Sequence, residues 1–241
     1  MVKNIKFTEQ ENLYLSLSPF TIPELFSDNV GSAIKAYLKE KRRRRVKKGY
    51  VFYRTGETAD KLYYLNKGMV IETLMNYNGL EKSFLIVPCY PIGFHYCAHK
   101  QSIFPCTAAF TDCEVYEFGY EEFLSFMQED RELLKQVIEI SSLDFRLANS
   151  AALQNQSCSA YEKICQTVLS YFIAKRYNPY IRDMKITQEL LAGLTGVHRV
   201  SVVRAIKKLK KEGIISYQRN ELELLDYEML QEVSYGKYAI R

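Results

Sequence analysis

The stretch from residue 186 to residue 215 constrains the fold most, because two short helical patterns flank a glycine there. In the first pattern three leucines share one face, and Thr187 stands where a hydroxyl can cap a helix N-terminus. Gly196 follows, at a position where a tight or left-handed backbone is cheap only for glycine. The second pattern runs from about His198 to Lys211, and its apolar stripe is Val202, Val203, Ile206 and Leu209. We expect two helices crossing at a tight turn.

The remaining faces of the second helix are polar and basic. They carry Arg199, Ser201, Arg204, Lys207, Lys208, Lys210 and Lys211. A helix held by its apolar face, with arginine and serine near its N-terminus, can enter the DNA major groove. The spacing of Ala192, Gly196 and Val202 is typical of a helix-turn-helix.

Two short strand patterns follow, at residues 213–217 and 221–225, around a turn at 218–220. A hairpin directly after the second helix predicts a wing. An ordinary helical hairpin with a solvated basic face is the alternative, but it does not require this wing. The region is interpreted as a winged helix-turn-helix that binds double-stranded DNA.

The charge distribution agrees with this interpretation. The chain has a net charge of +5, and residues 160–241 hold 14 Lys and Arg against 9 Asp and Glu. The first 159 residues contain 19 of each sign and are neutral. The whole positive surplus therefore lies with the helix-turn-helix, as expected of a domain that binds phosphates.

The N-terminal half has the rhythm of strands. From Gly49 onward, short apolar runs alternate with turn formers at residues 55–57, 66–68 and 76–79. This spacing predicts a small antiparallel β-roll or jelly-roll. The basic run Lys41 to Lys48 is interpreted as a solvated surface before the first strand, with contact to DNA or an acidic partner as the alternative.

A long helical pattern without glycine or proline links the two regions, from Asp130 to about Gln156. Its apolar residues (Leu133, Val137, Ile140, Leu147 and Ala151) approximate a three-four spacing that Asp144 interrupts. We expect this stripe to pair with a second copy of the chain, although packing on its own β-roll alone is possible. The predicted architecture is α+β: a β-roll over residues 1–128, a dimerisation helix and hinge over 129–158, and the DNA-binding domain over 159–241.

Other classes find little support. No run of eighteen apolar residues occurs and the first 17 residues lack a signal-peptide core, so we expect a cytoplasmic protein without membrane contact. The six cysteines are expected to remain thiols, and none forms a C-x-x-C pair. The sequence contains no P-loop, dinucleotide turn or H-E-x-x-H motif, and three histidines are few for a metal-binding, cupin-like enzyme. We therefore expect neither catalytic residues nor a resident metal or cofactor.

In this order, β-roll, long helix, hinge and winged helix resemble the cyclic-AMP receptor protein and fumarate-nitrate regulator family. The specific pieces are Gly56-Glu57 through Lys67-Gly68 and the stretch 186–215. The resemblance implies a homodimeric transcription regulator on a palindromic operator, which recruits or blocks RNA polymerase. It also implies a small effector, bound in the β-roll beside the long helix.

The resemblance assigns DNA contacts on this sequence. Arg199 and Arg204 match base-reading positions together with Val200 and Ser201, since an arginine fork fits guanine O6 and N7. Many family members have glutamate where Val200 stands; valine would favour a thymine methyl and A·T-richer half-sites. Expected backbone contacts are Thr187, Gln188, His198, Lys207, Lys208 and Arg219.

The effector site departs from the cyclic-nucleotide pattern. Family members that bind cyclic nucleotide have Gly-Glu for the ribose and Arg-Ser for the phosphate, whereas this chain has Gly93-Phe94 and Ile103-Phe104. A phosphate buried without a cationic partner is costly, so cyclic AMP is not the expected effector. We expect a small, largely apolar or aromatic molecule among Tyr90, Gly93, Phe94, His95, Tyr96, Ile103 and Phe104, closed by Ala148 and Asn149.

Several alternatives for the signal remain open. The segment around Gly196 also resembles regulators of reductive-dehalogenation genes, whose effectors are halogenated phenols. His95 lies near the place where carbon-monoxide-sensing relatives have a haem ligand. Cys97, Cys106 or Cys113 would serve a thiol switch, whereas an iron–sulfur cluster is disfavoured because no cysteine precedes Cys89. A regulator without an effector is a further alternative.

Overall fold

The computed structural model describes residues 8–16, 18–22 and 31–235. These residues form two compact units. The first contains residues 21–22, 31–74 and 85–145, and the second contains residues 8–16, 18–20, 75–84 and 146–235. The sequence-based division differs in two respects: it placed residues 8–20 and 75–84 with the β-roll, and it kept the long helix as a segment of its own.

Strands predominate in the first half of the chain and helices in the second. Through residue 119 the elements are α1 (Glu9–Ser16), β1 (Phe20–Thr21), α2 (Lys35–Leu38), β2 (Arg43–Val46), β3 (Val51–Tyr53), β4 (Lys61–Lys67), β5 (Val70–Met75), β6 (Glu81–Ile86), β7 (Tyr90–Ile92), α3 (Phe94–His99), β8 (Cys106–Ala109) and β9 (Cys113–Gly119). They are followed by α4 (Tyr120–Glu129), α5 (Arg131–Ser157), α6 (Ala160–Tyr177), α7 (Pro179–Arg182), α8 (Gln188–Thr195), α9 (Arg199–Lys211), β10 (Ile215–Gln218), β11 (Glu221–Leu224) and α10 (Tyr227–Tyr235).

The β-roll consists of two sheets. One has the strand order β1-β6-β5-β8-β3 and the other β2-β9-β4-β7. The pairs β2–β9, β3–β8, β4–β7, β4–β9 and β5–β8 are antiparallel. The α+β prediction with an antiparallel roll is therefore confirmed.

The basic run before Gly49 differs from its prediction. Its side chains are mostly exposed, but Arg43–Val46 forms strand β2, which pairs with β9. Arg43 and Arg45 both lie near the carboxylate of Glu114, at 3.5 and 3.8 Å. This cross-strand charge pairing allows three consecutive arginines to occupy a strand. The prediction that the run precedes the first strand of the roll is wrong.

The long helix α5 covers the core of the roll with one face only. Leu133 and Val137 are buried with Phe123 and Met127 in a cluster beneath the helix, and Leu147 is buried as well. These residues were expected to pair with a second copy, but they are already covered within the chain, so that interpretation of the stripe is wrong. A second apolar stripe on α5 remains exposed, formed by Leu134, Ile138 and Phe145.

In the second unit, α6 is the central helix and is buried on nearly all sides. The predicted capping box is present, because the Ser159 side chain accepts from the Glu162 amide and the Glu162 carboxylate accepts from the Ser159 amide. Helix α1 also packs on α6, where Glu11 accepts from Arg176 at 2.9 Å and from Tyr177 at 2.8 Å. Within the described residues, no helix is long and apolar enough to cross a membrane.

Candidate nucleic-acid interface and ligand site

Helices α8 and α9 meet at a turn whose ends are fixed by local chemistry. The Thr187 hydroxyl caps α8 by accepting from the Leu190 amide at 3.0 Å. Gly196 ends the helix with a φ of +67°, and its amide donates to the Ala192 carbonyl at 2.9 Å. Both features were predicted from the sequence. They fix where α9 begins, three residues after the glycine.

Helix α9 has one buried face and one open face. Val202, Ala205, Ile206 and Leu209 are buried against the unit. Val203 was predicted in this stripe but is 42% exposed, because successive residues of a helix are about 100° apart and Ala205 takes the inner position instead. The open face carries Arg199, Val200, Arg204 and Lys207, with Ser201 half-buried beside them.

The proposed phosphate-contacting residues differ in solvent exposure and in the contacts their side chains make. His198 and Lys207 are exposed, and Thr187 and Gln188 are half-buried at the start of α8. Lys208 instead lies over the Tyr161 ring at 4.1 Å. That contact directs Lys208 toward α6.

Arg199, one of the proposed base-reading residues, forms an ion pair within the helix-turn-helix. The Arg199 guanidinium lies 3.0 Å from the Glu189 carboxylate of α8, and both side chains are exposed. Such a surface ion pair contributes little to stability. It can therefore open at small cost when a DNA phosphate or guanine replaces the carboxylate.

The wing is a two-residue hairpin. Gln218 of β10 pairs with Glu221 of β11, which leaves Arg219 and Asn220 as the loop. Both loop residues have positive φ, 51° and 64°, as a type I′ turn requires. Arg219 is thereby exposed at the wing tip, as a phosphate-contacting residue must be.

The residues predicted for an effector pocket separate into two groups. Tyr90, Tyr96 and Ile103 are buried in one core cluster of the roll, and the His95 ring packs edge-on against Tyr96 with 4.9 Å between centroids. Phe94 packs against a different cluster, 5.9 Å from Phe123. The structure therefore brings together Tyr90, His95, Tyr96 and Ile103, but not Phe94.

The remaining predicted pocket residues have other surroundings. Gly93 leaves space for the Tyr53 hydroxyl, which a Cβ would overlap. Phe104 is 69% exposed. Ala148 and Asn149 are exposed residues of α5 in the second unit.

Two carboxyls that the sequence analysis did not assign lie at this aromatic group. Tyr90 donates a short hydrogen bond to Asp144 of α5, and His95 Nδ1 lies 4.0 Å from the same carboxyl. Tyr96 and Thr107 both donate to Glu72 of β5 at 3.3 Å. The sequence contains one signal for Asp144, because an acidic residue interrupts the apolar stripe of the long helix. No comparable pattern in the sequence pointed to Glu72.

Burial governs the protonation of this carboxyl pair. It raises the pKa of Glu72 to about 7 against the hydrogen bonds from Tyr96 and Thr107. It also raises the pKa of Asp144 to about 7, and the nearby Glu72 adds to that increase. Burial and His99 lower the pKa of His95, so this imidazole is neutral at pH 7. Among the described residues, this site therefore offers no permanent positive charge to an anion.

The cysteines are spread over both units. All six are free thiols. Burial raises the pKa of Cys97 to about 11 and also raises that of Cys113, which disfavours the reactive thiolate. Within residues 8–16, 18–22 and 31–235, no group of three or more His, Cys, Asp and Glu is placed to hold a metal.

Comparisons with known proteins agree with this geometry. Residues 162–233 match the model of the Crp-like helix-turn-helix domain. The cAMP-activated global transcriptional regulator CRP of Salmonella typhimurium is 25% identical over 169 residues, covering 67% of this chain and 79% of that protein.

Solved structures of regulators share the fold. The c-di-GMP responsive global regulator CLP of Xanthomonas campestris superposes with a TM-score of 0.68 at 19% identity, covering 81% of this chain and 99% of that one. A CooA variant from Carboxydothermus hydrogenoformans has a TM-score of 0.68 at 19% identity, covering 83% and 90%. A β-roll followed by a winged helix-turn-helix is the architecture of DNA-binding transcription regulators such as these. Residues 162–233 therefore form a Crp-like helix-turn-helix domain, and the chain is similar to CRP/FNR regulators in sequence and in fold.

Proposed function

We propose that this protein is a homodimeric regulator that reads a palindromic operator through α9 and responds to a small effector other than cyclic AMP. The open face of α9 is the observation that carries the proposal. Arg199 and Arg204 are exposed on this face. Val202, Ile206 and Leu209 on the opposite face are buried and anchor the helix to its unit. The similarity to CRP supports a cytoplasmic location and an effect on transcription through RNA polymerase.

The exposed stripe on α5 supports the homodimer. Ile138 and Phe145 are 56% and 73% exposed, and Leu134 is on the same side. Together with Phe94 and Met127 they line an open apolar cavity of about 360 Å³. A twin helix laid along this stripe would remove these side chains from water, and a two-fold axis there would relate two reading heads, as a palindrome requires.

The carboxyl pair supports an effector other than cyclic AMP. A phosphate diester beside Glu72 and Asp144 would meet neutral or negative groups. His95, near Asp144, is neutral at pH 7. An anion buried without a cationic partner is strongly disfavoured. The aromatic rings of Tyr90, Tyr96 and His95 instead favour an uncharged, largely aromatic molecule.

The DNA-reading proposal is tested on an operator obtained by selection from random duplexes. Arg204→Ala is expected to weaken binding to that operator by roughly 10- to 100-fold, because a bidentate base contact contributes about 1–3 kcal/mol. Arg182→Ala is the matched control, since Arg182 is an exposed arginine on α7 outside the helix-turn-helix. Equal affinities of the two variants in a fluorescence-anisotropy titration would contradict the assignment of Arg204.

The effector proposal predicts that cyclic AMP does not bind. A ligand present at about one hundred times its Kd stabilises a protein by about 2.7 kcal/mol, which a thermal-shift assay detects easily. Cyclic AMP at millimolar concentration is expected to leave the Tm unchanged, whereas a screen of neutral aromatic compounds and phenols contains the stabilising class. The Salmonella CRP is the positive control, and a saturable shift with cyclic AMP would contradict the proposal.

A further inference from the structure

The hairpin between β5 and β6 belongs to the same compact unit as the helix-turn-helix. Residues 75–84, which include the end of β5 and the start of β6, lie in that unit, although both strands belong to a sheet of the β-roll. The tip is held by Asn76, whose side-chain oxygen accepts from the amides of Asn78 and Leu80, both at 2.9 Å. These hydrogen bonds give the hairpin tip a defined conformation, so its side chains can hold a neighbouring segment in place.

Lys82 of this hairpin contacts the C-terminal end of α8. Its ammonium donates to the carbonyl of Leu194 at 2.6 Å, one residue before the last of the helix. Carbonyls at a helix C-terminus lack intrahelical partners and carry partial negative charge, so a cation is favourable there. The hairpin thus adds to the Gly196 cap a donor for the Leu194 carbonyl.

Two glycines permit the hairpin to approach this closely. A Cβ at Gly193 would lie 3.0 Å from the Ser83 hydroxyl, and a Cβ at Gly196 would lie 3.2 Å from Cδ of Lys82. Both distances are tighter than ordinary van der Waals contact. Gly196 therefore serves twice, because it also ends α8 in the left-handed conformation.

Lys82 is half-buried, so its contact differs from that of a fully solvated surface lysine. Burial lowers the pKa of Lys82 to about 8, with Lys163 as a smaller cause. Within the described part of the chain Lys82 forms no ion pair that would offset this cost, and its ammonium lies 5.4 Å from the Phe84 ring. Its hydrogen bond to the α8 carbonyl provides the compensating interaction.

We propose that Lys82 is a positioning residue for DNA recognition, which holds the turn between α8 and α9 through the Leu194 carbonyl. The turn lies between this cap and Arg199, the first residue of the reading helix. A small displacement of the turn would therefore move every base-reading side chain together. This inference rests on the proposed reading role of α9.

The test compares Lys82→Met, Lys82→Arg and Lys67→Met in the full-length protein on the selected operator. Lys82→Met retains most of the half-buried aliphatic chain but removes the donor and the charge, and it is expected to raise the Kd about tenfold. Lys82→Arg retains a cationic donor and should recover part of the loss. Lys67→Met is the matched control, because Lys67 is an exposed strand lysine of the other sheet.

Two readouts separate positioning from other roles. Hydrogen exchange at the amides of Gly196 and Val197 is expected to accelerate in Lys82→Met while the Tm changes little. The slope of log Kd against log salt is expected to stay the same, whereas loss of a direct phosphate contact would make it shallower by about one. A shallower slope would overturn the proposal.

The other outcomes are equally decisive. An unchanged Kd, or unchanged exchange at the turn, would show that the cap has no role in recognition. Tighter binding by Lys82→Met would show that the hairpin obstructs DNA. If Arg204→Ala weakens binding while Lys82→Met does not, the reading role of α9 stands and only the role of Lys82 fails.

Discussion

Replacing Ile138 by glutamate is expected to convert the protein to a monomer and to weaken operator binding by more than about 100-fold. Ile138 is 56% exposed at the middle of the apolar stripe on α5. In a dimer, two glutamates near the two-fold axis would be buried without partners, which costs several kcal/mol. A monomer also loses the second half-site, whose contacts contribute about as much binding free energy as the first.

Sedimentation equilibrium and anisotropy titration measure the two effects separately. Tyr77→Glu is the matched control, because it places the same charge at an aromatic residue that is 97% exposed. This control is expected to remain dimeric. A dimeric Ile138→Glu protein would refute the role of this stripe, and a monomeric protein with unchanged operator affinity would refute the need for a dimer.

Replacing both half-buried carboxyls by amides, as Glu72→Gln with Asp144→Asn, is expected to stabilise the protein at pH 8 by about 3 kcal/mol. This is less than half of what the full pKa shifts would give, because solvent screens two partly exposed groups. The ordinary pKa values of these groups are 4.5 and 3.8, and burial raises both to about 7 in the folded protein. The folded state therefore holds protons that the unfolded chain has already released. The stability due to this pair is greatest below about pH 4 and falls as the pH rises to about 7.

The double variant is accordingly expected to show a flatter dependence of stability on pH between about 4 and 7, and a Tm at pH 8 raised by roughly 6–10 °C. The amides keep acceptors for the hydroxyls of Tyr90 and Tyr96. Calorimetric unfolding at several pH values measures the effect. Glu121→Gln with Glu132→Gln is the control, since it removes two exposed carboxylates. Equal pH profiles of the two double variants would exclude Glu72 and Asp144 as the cause.

The exposure of the proposed DNA-reading residues was largely predictable because its signals are local. The spacing within α9 indicated which side chains stay outside, and the structure leaves Arg199, Val200 and Arg204 exposed. The ligand site was less predictable. Adjacent residues of the chain, such as Phe94 and His95, pack against different groups, and residues in sequence proximity were therefore a poor guide to a common cavity.

Glu72 and Asp144 illustrate the same limit. They are 72 positions apart in the chain, and their surroundings depend on three strands, two helices and three hydroxyls meeting in one place. Neither residue belongs to a motif. Their raised pKa values follow from burial, which is a property of the assembled roll.

The sequence by itself determined the features that are stabilised by residues close to one another in the chain. The Thr187 cap, the left-handed Gly196, the Ser159–Glu162 capping box and the wing each depend on side chains near their own backbone. Only the tertiary structure decided which of two apolar stripes on α5 is covered, that α1 packs on α6, and that Lys82 caps α8. These contacts join segments far apart in sequence, and their free energy depends on burial that no local pattern specifies.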